Sequence, residues 1–382
     1  MNDKIRVGLV GCGAISGAHL EAYRKLTDDF EVLAVCDVVK EKAMRRAEEF
    51  GIPRAVTDIE ELYRMADLDV IDICTPPYLH PGMALGAMEA GKYAFCEKPI
   101  AGALADIDRL EEAERRTGKR VMPIFNYRFG FGLQRLLYLK RLGLTGRLIL
   151  STVETHWRRP PGYFAVRWRA GWRTALGGAF IGHAIHAHDA LYAVAGPARS
   201  VFAHAATLTN AMEIEDTLAV SAEMADGSLA ALSVTFGSMV EISRHRYCFS
   251  QLTAESNTSP YASHTSDPWQ FSPAPEVAGP VQEALAAFQP EPPEGFVGQF
   301  WRFARAMRSG GELPITLADG RRAIELVTAV YASAATGLPV RLPIGPDHPY
   351  YAGCIPPDAQ PIDAFVDYAG HQEASGWKPK DV

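Results

Sequence analysis

The chain has 382 residues, 48% of them hydrophobic and 22% charged, with a net charge of −7 and a pI near 5.9. That length exceeds one ordinary core and suits two domains of average globular composition. The acidic balance offers no basic field to nucleic acid or an anionic membrane, no apolar run approaches the ~20 residues of a bilayer span, and the N-terminus lacks the apolar segment of a signal peptide, so a cytoplasmic protein is expected. Cys12, Cys36, Cys74, Cys96, Cys248 and Cys354 show no CxxC spacing. They read as reduced, buried thiols rather than disulfides or a zinc site.

Between residues 5 and 125 short apolar runs alternate with helical patterns. Strands are predicted over 5–10, 32–36, 70–74, 93–96 and 121–125, with helices over 19–26, 41–50, 59–65, 83–90 and 104–117. Gly51, Gly91 and Gly118 fall where helices end. Such alternation predicts a doubly wound parallel sheet with helices on both faces. After residue 125 the rhythm changes. A helix over 132–141 leads to a strand over 147–155, then to an Arg/Trp-rich loop or set of short helices over 156–174, then to a helix over 178–195. Strands over 200–207, 216–224, 228–236 and 244–252 follow without helices between them, and Asp226-Gly227 is a hairpin turn. This half predicts an α+β domain with a mostly antiparallel sheet. Residues 253–293, rich in Ser, Pro and Gly, read as a long insertion loop. Helices over 295–308 and 317–333 close the second domain, and the chain divides into 1–125, 126–343 and an extended tail, 344–382.

The first strand ends in Gly11-Cys12-Gly13-Ala14-Ile15-Ser16, which opens a helix. Gly11 permits the tight turn, Gly13 admits a diphosphate, and the amides of Ala14 and Ile15 lie at the helix N-terminus. Asp37 ends the second strand at the spacing of about 20 residues expected of the acid that binds ribose hydroxyls, which favours NAD over NADP. A Rossmann-like fold without cofactor is the alternative. Thr75, Pro76 and His80 lie at the carboxyl end of the next long strand, where such sheets bind ligands. His80 either faces the cofactor or merely caps and packs. Glu97-Lys98-Pro99 ends the following strand. It is read either as a buried ion pair placing Lys98 beside the nicotinamide with a lowered pKa, or as an ordinary surface pair.

GLVGCGAIS, CDVV, CTPPYLH, CEKP, NYRFG and LPITLADGRRAIELVTAVYASAATGLPVRLP resemble the glucose–fructose oxidoreductase/inositol dehydrogenase (Gfo/Idh/MocA) family over roughly residues 5–343. CEKP in register with the glycine turn is the most specific part. The resemblance implies a Rossmann domain, a second domain with a large antiparallel sheet, and dimers or tetramers packed through that sheet. It implies NAD(P)-dependent oxidation or reduction of a sugar or polyol carbon, with Lys98 touching substrate and cofactor after a Lys98–Pro99 bond that is often cis. Asn126 and Arg128 of NYRFG join the implied substrate site. The family's second motif, GGxxxDxGxHxxD, falls on residues 177–189 and puts the catalytic base at His186. Its aspartate is Gly182 here, and adjacent His183 is the natural replacement.

A histidine titrates near neutrality and suits the removal of a hydroxyl proton. A metal held by His183, His186 and Asp189 is the rival reading, and no metal is expected. His188 lies on another helix face and reads as core. Arg158, Arg159, Arg167, Arg169 and Arg173, interleaved with Trp157, Tyr163, Phe164, Trp168 and Trp172, suit an anionic or glycosidic sugar; subunit contacts or cofactor phosphates are the equal alternative. Trp172 and Arg173 stand nearest the catalytic helix in sequence. The expectation is an NAD-dependent sugar, sugar-acid or cyclitol dehydrogenase or reductase. An NAD-retaining oxidoreductive glycosidase and a non-catalytic sugar-binding regulator are the rivals.

Overall fold

The computed structural model describes residues 4–291 and 293–362. Six strands, β1 (Ile5–Val10), β2 (Phe30–Cys36), β3 (Arg54–Val56), β4 (Val70–Ile73), β5 (Tyr93–Cys96) and β6 (Val121–Pro123), form a parallel sheet in the order β3-β2-β1-β4-β5-β6. β1 pairs with β2 on one side and β4 on the other. The chain therefore reverses its winding at this point, and ligands of such sheets bind in the crevice it leaves at the carboxyl ends. β3 escaped sequence reading because three residues, two of them exposed, carry no hydrophobic period.

A second sheet holds β7 (Leu148–Arg158), β8 (Ala198–Ala206), β9 (Thr217–Met224), β10 (Leu229–Thr235), β11 (Gly237–Phe249), β12 (Leu252–Glu255), β13 (Gln270–Pro273) and β14 (Val340–Arg341). The order is β13-β12-β11-β7-β10-β9-β8-β14, with β7 and β10 parallel and every other neighbouring pair antiparallel. Gly227, at φ +83, turns the β9–β10 hairpin.

Two expectations need correction. Residues 253–293 are not a loop. They add β13 and most of β12 to the sheet edge, followed by a helix, Ala278–Ala287. Leu252 and Ala254 are buried on alternate positions, but four residues are too few to register as a pattern. Helix Gly295–Ser309 does not close the second half. Its Phe300 stacks on Tyr23 at 4.8 Å and on Phe95 at 5.2 Å, so it covers the first sheet. Helix Leu317–Thr336, opened by a capping box of Thr316 and Asp319, packs on both β8 and helix Leu104–Thr117 and ties the halves together. The tail beyond residue 362 lies outside the described residues.

Beneath the carboxyl ends of β4 and β5 sits a buried polar network. His19, on helix Ala14–Arg24, meets Asp72 through Nδ1 at 2.9 Å and Glu97 through Nε2 at 3.0 Å, and Tyr23 donates to Asp72 at 2.8 Å. Burial alone would make His19 less basic, but the Asp72 carboxylate overrides it and holds the pKa well above 6.5. An imidazolium between two carboxylates fixes helix, β4 and β5 to one another. Replacing His19 by Ala strands two buried carboxylates and is expected to cost about 3–5 kcal/mol in urea unfolding. Because the folded pKa is raised, the contribution is complete below 6.5 and declines as pH rises toward the folded value. Wild-type stability should slope downward there, and the variant should lack the slope.

Candidate active site

The glycine turn and the tip of β4 touch. Gly11 has φ +94, and a Cβ on it would lie 2.6 Å from the Cys74 carbonyl oxygen. Gly13 faces open space. The helix behind it, starting at Ala14 and Ile15, has no acid in its first turn. Asp37 accepts the Cys12 amide on Oδ2 and the Val39 amide on Oδ1, each at 2.9 Å, so its carboxylate is pinned beside the turn. A bare glycine elbow, an uncapped helix N-terminus and a fixed carboxylate at the end of β2 together fit a dinucleotide. Thr75 and Pro76 border this crevice. His80 does not serve it: its Nδ1 lies 2.7 Å from the Pro99 carbonyl and its Nε2 2.8 Å from that of Thr75. Both nitrogens are spent on linking the loops after β4 and β5.

Lys98 follows β5, and the Lys98–Pro99 bond is cis. The expected Glu97–Lys98 ion pair is absent. Glu97 turns inward to His19, and its other oxygen accepts the Lys98 amide at 3.1 Å. With that carboxylate buried in the network, it is also not available to a cofactor. The Lys98 side chain runs the other way and Nζ donates to the Gly182 carbonyl at 2.7 Å. Burial lowers the ammonium's pKa below 10.5, Glu97 opposes that, and the charge of Arg159 adds to it.

Gly182 lies in a π-helical turn, Phe180–Ala184, that leads into helix Ile185–Ala195. Single π turns of this kind concentrate at functional sites. A side chain at 182 would meet nothing within 4 Å. Where the motif implies an aspartate, this chain offers a backbone carbonyl and empty space.

His186 is buried, stacked on Tyr127 with centroids 4.5 Å apart, and its Nδ1 has no partner. Burial, then the charges of Lys98 and His264, hold it well below 6.5, so it is neutral at physiological pH. His183 is neutral for the same first reason, reinforced by Arg159 and Lys98. Its Nε2 meets the Tyr163 hydroxyl at 3.0 Å, and its ring is boxed by Trp157, Tyr163 and Phe236. It does not replace the missing acid beside Lys98, because the Gly182 carbonyl already does. Asn126 is buried with its Oδ1 unpartnered.

Arg128 commits two of its three nitrogens to acids of the protein. Its Nε and Nη2 clasp Asp189 at 2.7 and 2.6 Å, and Nη2 also reaches Asp319 at 2.8 Å. The same clasp turns Asp189 away from any metal site with the histidines. Trp172 packs edge-on against Tyr331, and Arg173 donates to the Ala359 carbonyl at 3.3 Å. Their short helix, Trp172–Ala175, lies against the turn Pro77–Leu79, on the nucleotide side of the crevice. His188 is core, packed on Phe180 at 4.0 Å, and neither of its ring nitrogens has a partner among the described residues.

Four contributors escaped sequence reading. Glu215 accepts the amides of Gly178 at 2.8 Å and Phe180 at 3.0 Å and the Tyr331 hydroxyl at 3.0 Å, so a buried carboxyl caps the turn that carries Gly182. Burial pushes its pKa up to about 7. From the residues 253–293, Tyr261 reaches Arg159, and His264 joins His245 at 2.9 Å, which in turn donates to the Ala187 carbonyl at 3.0 Å. No sequence signal links these positions, since the contacts join elements far apart in the chain.

The model of the oxidoreductase family with an NAD-binding Rossmann fold matches residues 5–125, and that of the GFO/IDH/MocA C-terminal domain matches residues 135–247. The uncharacterized oxidoreductase YrbE of Bacillus subtilis is 26% identical over 349 residues, covering 90% of this chain and 98% of that protein. Inositol 2-dehydrogenase of Salmonella typhimurium is 33% identical over 148 residues, 38% of this chain and 44% of that enzyme, so the match spans less than half of it. The crystal structure of the WlbA dehydrogenase from Bordetella pertussis, in complex with NADH and UDP-GlcNAcA, superposes with a TM-score of 0.79 at 27% identity, covering 90% of this chain and 100% of that one.

Two outcomes follow from the turn at residues 178–182. Gly182→Asp has room for its side chain and sets a carboxylate beside Lys98. The lysine's pKa should rise by about one unit or more, read from the pH dependence of its acylation by an amine reagent. An unchanged profile would mean that the space does not adjoin the ammonium. Because the folded pKa of Glu215 is raised from 4.5 to about 7, its neutral form stabilises the fold below 4.5 and that stabilisation declines as pH climbs through this window. Glu215→Gln should remove that slope from a pH series of melting temperatures.

Proposed function

The chain belongs to the Gfo/Idh/MocA oxidoreductase family with an NAD-binding Rossmann fold, and from that premise we propose that it is an NAD-dependent dehydrogenase or reductase acting at a hydroxyl-bearing carbon of a sugar, sugar acid or cyclitol. The observation that carries the reading is the meeting of a partly desolvated ammonium, Lys98, with a helix that presents a neutral imidazole, His186.

NAD, held through Gly11, Gly13, Ala14, Ile15 and Asp37 with Thr75 and Pro76 alongside, supplies the hydride acceptor. The remaining work falls to this chain's side chains. Lys98, steadied by the Gly182 carbonyl, has further N–H bonds to give and directs one at the reacting oxygen. The charge stabilises the alkoxide character that grows as hydride departs. His186 Nδ1 is buried without a partner, and no hydrogen bond among the described residues engages Nε2, the nitrogen we assign to take the hydroxyl proton. Its low basicity keeps it neutral, as a base must be, and the stack on Tyr127 fixes the ring. In the reductive direction the same nitrogen returns the proton. Asn126 turns an unpartnered amide oxygen toward a hydroxyl donor.

We place residues 1–125, with helix Gly295–Ser309 packed on them, as the nucleotide domain and the rest of 126–343 as the substrate domain, and the protein in the cytoplasm. The open face of the second sheet, where exposed Leu150 and Leu229 are paired across strands, is the surface we assign to self-association into a dimer or tetramer. Lys98→Met and His186→Ala are each expected to retain NAD binding, measured by protein-to-NADH fluorescence transfer, and to lose about 10²–10⁴-fold in turnover on a sugar that wild type oxidises. Near-wild-type turnover in either variant would contradict the assignment.

A further inference from the structure

Arg159 is the least solvated arginine facing this site, with a side chain only 4% exposed. Its guanidinium sits over three rings, 5.0 Å from Trp157, 5.1 Å from Tyr163 and 5.4 Å from Tyr261. Among the described residues, one nitrogen does all of its hydrogen bonding. Nη1 donates to the Arg158 carbonyl at 3.0 Å, the Tyr261 hydroxyl at 3.1 Å and Glu241 at 3.2 Å. Nε is buried with no partner, and Nη2 has none among the described residues.

Nε and Nη2 are the two donors that lie parallel along one edge of the guanidinium, the edge that matches a carboxylate. Three other arginines of this chain show that edge filled. Arg6 gives Nε and Nη2 to the two oxygens of Asp69, Arg128 to those of Asp189, and Arg321 to those of Glu111. Burying a charged donor without a partner is costly, and each such group in a folded protein calls for an explanation.

The surroundings indicate where the edge is used. Tyr163, whose ring supports Arg159, bonds His183 in the π-helical turn, and Trp157 packs edge-on against the same imidazole. Glu241 answers the charge at Nη1 alone, and the other nearby acids are committed elsewhere: Glu97 to His19, Asp189 to Arg128, Glu215 to the helix amides. Position 182, beside the Lys98 ammonium, has no side chain and open space.

We propose that the Nε–Nη2 edge of Arg159 receives a carboxylate of the substrate, so that among the candidates of the functional reading, on which this rests, the enzyme acts on sugar acids rather than on neutral sugars or cyclitols. The aromatic rings and Glu241 hold the guanidinium in place before binding, and the substrate's own carboxylate supplies the acceptor oxygens that the Nε–Nη2 edge lacks.

The test compares matched pairs: D-glucuronate and D-galacturonate, with their methyl glycosides, against D-glucose, D-galactose and theirs. NADH formation gives turnover, and calorimetry on the NADH-loaded protein gives affinity. The acids are expected to exceed their neutral partners about 100-fold in kcat/KM. Arg159→Gln should abolish that preference, chiefly through KM for the acids, so that the loss on acids exceeds the loss on neutral sugars about tenfold or more. Arg159→Lys should fail to restore it, since a single ammonium cannot present two parallel donors. NAD binding and melting temperature confirm that each variant folds. Neutral sugars preferred by wild type, or an equal loss on both classes in Arg159→Gln, would overturn the proposal and leave the dehydrogenase reading standing. Absence of NADH formation from both classes, with NAD still bound, would remove that reading and this proposal with it.

Discussion

A single hydrogen bond, from the Lys98 ammonium at the end of one sheet to the Gly182 carbonyl in the other half, is the constraint on which the site depends. It spans elements 84 residues apart in sequence. The bond sets the position of the charge, and two buried supports make it possible. On one side His19 draws Glu97 inward and so points the next residue outward across the crevice. On the other, Glu215 holds the amides that begin the π-helical turn. Each support is a buried charged or polar group with its partners in place, which is the condition under which such groups specify one geometry rather than destabilise the core.

The electrostatic pattern follows from where the carboxylates go. Glu97, Asp189 and Glu215 are turned into the protein, leaving the cation Lys98 to reach both histidines, with Arg159 and Arg169 adding to it at His183. Burial alone would keep those imidazoles neutral, and the nearby cations reinforce it. One cationic donor and one neutral acceptor are therefore held apart in protonation state at neutral pH, although both are bases. That separation is what a reversible transfer of a proton alongside a hydride needs. The carbonyl of Gly182 is suited to its place because it orients the ammonium without raising its basicity as a full negative charge would.

The nucleotide half was largely legible in the sequence, because its signals are local: a glycine elbow between strand and helix, an acid at a fixed distance, and apolar strands separated by capped helices. Lys98 and His186 could be placed by their motifs. Their partners could not. Glu97 and Lys98 are neighbours in sequence, yet a strand end sends successive side chains to opposite sides, so the pair read from the text is divided between two networks. His80 and Arg128 carry chemistry-bearing side chains in motif positions but are consumed by carbonyls and by Asp189 and Asp319. The strands within 252–273 are four residues each, too short to show a period, and are stabilised by pairing along a sheet edge. Helix Gly295–Ser309 has a clear apolar stripe, but its periodicity does not say which sheet it covers.

Hydride and proton transfer here depend most directly on the arrangement of two nitrogens about one bound nicotinamide. A crystal structure of the NAD-loaded protein measures it. The prediction is a diphosphate on the Gly11–Gly13 elbow, with Lys98 Nζ and His186 Nε2 both within about 3 Å of a single solvent or substrate oxygen over the nicotinamide ring. A structure in which those nitrogens open onto separate cavities, or in which the elbow stays closed to the diphosphate, would contradict it.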